Sequence, residues 1–149
     1  MSPCESARRL ATVLFTCLLL FSSGLTNAQV RSKEQTAGSE LIGRGQYIVE
    51  HVALCVECHT PRDENGSLKV GEYLKVAPIP VNSPPYPQMK WALKAPAIAG
   101  LPGYTEEQSI RLLMDGLTRD GRRPDPPMPQ FRLNRADAEA VVAYLKSLR

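Results

Sequence analysis

The pentapeptide Cys55-Val56-Glu57-Cys58-His59 constrains this chain more than any other stretch. Two thiols about one helical turn apart can each add across one vinyl group of a haem, and the two thioethers hold the macrocycle edge-on. His59 follows immediately, so its imidazole can serve as the proximal iron ligand. The spacing predicts one haem c, attached through Cys55 and Cys58, with His59 on the metal.

Three other readings compete for the same residues. A structural zinc site needs four Cys or His ligands. Once an N-terminal signal is removed the chain offers only Cys55, Cys58, His51 and His59, all within one short stretch. A thioredoxin-like pair needs a βαβ context, and the flanks here read as helical and Pro-rich. Chance is the hazard of any short motif. A methionine suited to the second axial position, Met128, reduces it.

Arg8 and Arg9 precede an apolar run over residues 10–21, and Thr26-Asn27-Ala28 follows as a small-residue cleavage pattern. Residues 1–28 are expected to be a signal peptide cut after Ala28, which places the mature protein in the periplasm. The run falls short of the roughly 20 apolar residues that cross a bilayer, so a retained anchor is the less favoured alternative. Cys4 and Cys17 leave with the signal, and both remaining cysteines belong to the haem motif. The mature chain keeps 16 basic and 14 acidic side chains, a balance that does not call for nucleic acid.

Residues 29–38 are polar and read as a flexible leader, and residues 39–149 suit one domain. The first helix is expected from Ser39 to Cys55, with Leu41, Gly45, Ile48 and Val52 on its buried stripe. Gly45 suggests a close crossing with another helix. His51 lies four residues before Cys55, too near the proximal side to reach round the ring.

The middle of the chain, residues 61–104, is broken by prolines that remove helix donors. It is expected to be a long loop packed against the haem, with an Asn65-Gly66 turn. Leu74, Val76, Ile79, Met89, Trp91 and Leu93 are candidate haem-edge contacts. The Trp91 indole N–H is a candidate donor to a haem propionate, with an ordinary core role as the alternative.

Thr105 and Gln108 form a capping-box pattern ahead of a helix whose apolar face is Ile110, Leu113, Met114 and Leu117, closed by Gly116 or Gly121. Met114 belongs to that face and reads as core. Met128 instead sits between Pro127 and Pro129, and rigid flanks present it at a defined place as the distal iron ligand. Asn134 caps a last helix whose buried face is Ala138, Val141, Val142, Leu145 and Leu148.

These residues resemble a class I, monohaem cytochrome c, similar to the small exported cytochrome subunits of bacterial dehydrogenases. The likeness rests on residues 45–49, 55–62, 95–104, 126–129 and 137–148. It implies an all-α cytochrome c fold of three to five helices, with the N- and C-terminal helices packed around one covalent haem c. The thioether roles carry over to Cys55 and Cys58, and the axial roles to His59 and Met128. Tyr73-Leu74 departs from the Trp-Leu more usual in such chains. The resemblance implies single-electron transfer, not catalysis, between a dehydrogenase-type donor and an oxidase or cytochrome acceptor. Lys90, Lys94, Arg119, Arg122 and Arg123 are expected to rim the haem opening. A haem enzyme or sensor with a labile sixth ligand is the second reading. A third reading makes the chain a tethered subunit of a larger dehydrogenase, in a membrane-associated complex.

Overall fold

The computed structural model describes residues 30–148, so the expected signal peptide lies outside the described residues. The chain divides into two units, residues 1–39 and residues 40–149. In the first, residues 30–39 are helical and exposed. Thr36 Oγ1 there donates to the Ser32 carbonyl at 2.9 Å. The described part of the expected leader therefore has helical backbone.

In the second unit residues 40–47 form α1, which runs into a π turn over Ile48–Val52. The Ala53 N–H reaches back five residues to the Ile48 carbonyl at 2.7 Å, the bonding of a π turn. The wider turn rotates later side chains off the stripe that regular spacing predicts. Val52 is exposed while Val49 is fully buried. Leu41 is exposed too, and its neighbour Ile42 packs on the core in its place.

The helix that the spacing carries to Cys55 therefore stops short of it. Leu54 adopts the left-handed conformation, φ 52°, and a separate short helix, α2, spans Cys55–His59. Two further helices follow, α3 over Glu106–Asp115 and α4 over Arg135–Ser147. Between α2 and α3 two short strands pair antiparallel, β1 (Ala77–Pro78) and β2 (Lys94–Ala95), with Ala77 opposite Ala95. Among the described residues the fold is all-α apart from this pair and one isolated bridge between Arg62 and Leu68.

Local chemistry sets the helix ends. Thr105 Oγ1 accepts from the Gln108 N–H at 3.2 Å while Gln108 Oε1 accepts from the Thr105 N–H at 3.0 Å. Two donors that the first helical turn leaves orphaned are thus satisfied reciprocally. Gly116, at φ 68°, ends α3 in the left-handed cap that glycine adopts without a Cβ penalty. Asn134 Oδ1 accepts from the Asp137 N–H at 2.9 Å and starts α4.

The two helices that bracket this unit meet at Gly45. A Cβ there would overlap the Ala140 carbonyl and stand 2.8 Å from Tyr144 Cβ. The missing side chain lets α1 approach the α4 backbone. Tyr144 then donates its hydroxyl to Glu50 Oε1 at 2.6 Å, tying the π turn to α4. Ile48, Val49, Val56, Leu74, Val141 and Leu145 bury themselves beside that crossing. Ile110, Ala138 and Val142 form a second cluster between α3 and α4, with Met114 packed against it as expected of a core residue.

Candidate functional site

The left-handed Leu54 turns the chain so that α2 opens with Cys55. Cys55 and Cys58, one turn apart on α2, are both half-buried and form no disulfide. Burial pushes the Cys55 thiol up to about 11.

His59 ends α2 and is buried. Its Nδ1 stands 2.6 Å from the Pro96 carbonyl oxygen. A carbonyl can only accept, so Nδ1 carries the proton and donates, which leaves the Nε2 lone pair for a metal. Burial lowers the His59 pKa, and the bond to Pro96 opposes that only in part. The neutral, ligand-competent imidazole is the favoured form.

Strand β2 leads directly into Pro96 and so fixes the acceptor. Leu74 is locked behind it. Its N–H donates to Thr60 Oγ1 at 3.1 Å, and its carbonyl accepts from Ile98 and Ala99 at 2.9 and 3.1 Å. Leu54, Leu74 and Leu101 all have positive φ, 52°, 55° and 54°. A leucine pays about 1–2 kcal/mol for that conformation, and such strain persists where surrounding packing over-determines it. Leu54 and Leu101 line the same cavity as the two cysteines.

That cavity measures about 360 Å³. Cys55, Cys58 and His59 line it from α2, and Met128, Pro127 and Phe131 line it from the loop before α4. Ile98, Leu112, Leu113, Val141 and Leu145 supply apolar wall. Bonds from the Ala92 N–H to the Pro126 carbonyl at 2.7 Å and from the Leu133 N–H to the Leu113 carbonyl at 3.1 Å fix the Met128 loop at both ends. Four of the five residues expected at the site are thus brought to one cavity. His51 is exposed and does not border it.

Trp91 does not line the cavity, although the adjacent Ala92 does. Its indole nitrogen is buried and has no hydrogen-bond partner among the described residues. Of the other haem-edge candidates only Ile79 borders the cavity. Leu74 is core, and Val76, Met89 and Leu93 are exposed. The reason is the pairing of β1 with β2, extended by the Ile79 N–H donating to the Leu93 carbonyl at 3.0 Å. This pinch closes the base of the Pro-rich loop and leaves Met89 and Leu93 on its outer side.

The expected basic rim divides in two. Lys94 borders the cavity. Arg119 donates to the Gly103 carbonyl at 2.9 Å, and Arg122 pairs with Asp120 at 2.8 Å. The Pro96 carbonyl and the strained Leu54 and Leu101 are site features that residue types do not announce. Leucine carries no signal for positive φ.

A cavity of this size lies within the roughly 300–1,000 Å³ usual for ligand and cofactor pockets. Its lining is chiefly apolar and presents two thiols, an imidazole with one free nitrogen and a thioether. This donor set suits a flat, apolar, iron-bearing macrocycle.

A family model for cytochrome c matches residues 42–149. The chain is also similar to the fructose dehydrogenase cytochrome subunit of Gluconobacter japonicus, with 30% identity over 115 residues. The match takes in 70% of this chain and 21% of that relative's length.

Proposed function

The chain belongs to the cytochrome c family and holds one covalent haem c at its Cys-x-x-Cys-His motif; on that premise we propose that it carries single electrons in the periplasm between a dehydrogenase-type donor and a terminal acceptor. The observation that carries this reading is the convergence of Cys55, Cys58, His59 and Met128 on one cavity. When bound, the haem supplies a one-electron ferrous/ferric couple.

Cys55 and Cys58 hold the group covalently. The His59 Nε2, its ring orientation set by the Nδ1–H bond to Pro96, would supply one ligand to the iron. The Met128 thioether, on the Pro-framed loop that lines the same cavity, would supply the second ligand to the iron. Held by both side chains, the iron would offer no open position to a substrate. His/Met ligation in an apolar pocket raises the reduction potential. Trp91 lines the outer groove and not the cavity, so its buried indole N–H is given no role toward the haem.

The relative named above is a dehydrogenase subunit, and this supports a dehydrogenase as donor. The signal-like N-terminus supports export, with a mature chain that begins at Gln29. N-terminal sequencing of protein purified from the periplasm reads this directly, and a start at Met1 overturns it.

Expressed with a cytochrome maturation system, the protein is expected to stain for haem on a denaturing gel. Its reduced form should have a low-spin spectrum that carbon monoxide leaves unchanged, and potentiometry should fit one electron. Carbon monoxide binding or peroxide turnover by the native protein at neutral pH would instead establish a haem enzyme or sensor.

A further inference from the structure

We propose that the outer face of the Pro-rich loop, built on Tyr86, Met89 and Leu93, is where the redox partner docks, and that the partner presents an apolar patch bordered by carboxylates. This deepens the electron-carrier reading and rests on it.

Three observations on the surface converge. Tyr86, Met89 and Leu93 are exposed, Leu93 to 77%, and they share one groove with Pro84, Pro87 and Trp91. Apolar side chains gathered in this way mark interaction sites, whereas scattered ones do not. Aromatic and methionine side chains are also the types enriched at interfaces.

Charge selects the partner. From residue 73 to residue 105 the chain contains Lys75, Lys90 and Lys94 and no Asp or Glu. Lys90 is next to Met89 and Lys94 next to Leu93, and neither makes an ion pair among the described residues. On the other flank Arg122 is already paired with Asp120, and Arg119 is bonded to Gly103 and lies over the Tyr104 ring. Asp125 also borders the cavity from the Met128 loop. Arg123 on that flank is exposed and makes no ion pair among the described residues, but Asp120 and Asp125 lie within three residues of it in the sequence. The lysine flank is therefore the positive surface without acidic neighbours in its own segment, and it steers an acidic partner.

Position completes the argument. Trp91 and Leu93 line the groove while the intervening Ala92, together with Lys94, lines the haem cavity. A partner seated on the groove is separated from the cofactor by one strip of chain. Prolines with fixed φ limit how much ordering the loop undergoes on docking, which favours binding without demanding a large interface.

The test uses the full mature holoprotein and reduced plant-type [2Fe–2S] ferredoxin, an acidic one-electron donor, as probe. Amide shifts in the ¹⁵N-labelled ferrous protein are expected to centre on residues 81–94, and the second-order reduction rate of the ferric protein should fall with salt. Lys90→Glu should slow reduction about tenfold at low ionic strength, with the gap closing as salt screens it. Tyr86→Ser with Leu93→Ser should slow it at every salt concentration, and Arg123→Glu should change it less than twofold. Shifts centred on residues 119–123, or loop variants that react as fast as wild type, overturn the docking face while leaving the carrier reading intact. A wild-type protein that ferredoxin and ferricyanide both fail to turn over removes the carrier reading and this inference with it.

Discussion

Gly45→Ala is expected to lower the stability of the holoprotein by about 3 kcal/mol or more, the upper end of what overpacking costs. The added methyl would meet the Ala140 carbonyl, which is α4 backbone and cannot swing aside as a side chain can. To make room α1 must lift from α4, which strains the hydroxyl bond from Tyr144 to Glu50 and loosens the packing of Ile48 and Val49 on Val141. Gly43 provides the control two residues earlier on α1. Nothing lies within 4 Å of a Cβ at Gly43, so Gly43→Ala should gain about 0.5–1 kcal/mol from helix propensity alone. Urea titration of the two variants should thus move the midpoint in opposite directions with the slope unchanged. Equal midpoints would mean that the two helices do not cross at Gly45.

The features legible in the sequence are those whose chemistry is local. Thr105 with Gln108 and Asn134 with Asp137 declare helix starts because the capping bonds span three residues. The Cys55-to-His59 spacing declares the attachment because thioether chemistry itself fixes it. The prolines around Met128 mark a segment that cannot be helical, but the structure folds it as a turn at Pro126 and Pro127 that bends at Met128, not as the extended run that the prolines suggest. Misplaced features depend on distant partners. Val52 keeps helical spacing with Ile48, but the π turn rotates it outward, and the bond from Tyr144 to Glu50 that secures this turn comes from the far end of the chain. Met89 and Leu93 read as haem contacts because they are apolar residues in a loop expected to wrap the cofactor. The β1–β2 pinch, a pairing of residues 16 and 18 positions apart, leaves them at the surface instead. The strained Leu54, Leu74 and Leu101 are invisible for a different reason. Positive φ is read from Gly, Asn or Asp, and here tertiary packing imposes it on a residue that gives no sign of it.

Met128→Ala is expected to leave the haem attached, since Cys55 and Cys58 are untouched, while the sixth position on the iron opens. Three readouts should move together. The ferric spectrum should change from low to high spin, the ferrous form should bind carbon monoxide, and the potential should drop by a sizeable part of the roughly 0.8 V that axial ligation spans. Met128→His separates ligation from packing, because an imidazole restores low spin yet leaves the potential below wild type. The other methionines discriminate further. Met114 packs on the cluster between α3 and α4, so Met114→Ala should cost about 2 kcal/mol of stability with no spectral change. Met89 is exposed on the docking loop, and Met89→Ala should alter neither spectrum nor stability. An unchanged low-spin spectrum in Met128→Ala, together with a changed one in Met89→Ala, would transfer the distal role to the loop. The groove proposed for docking would then be part of the haem site, and the β1–β2 pinch would have to open for Met89 to reach the iron.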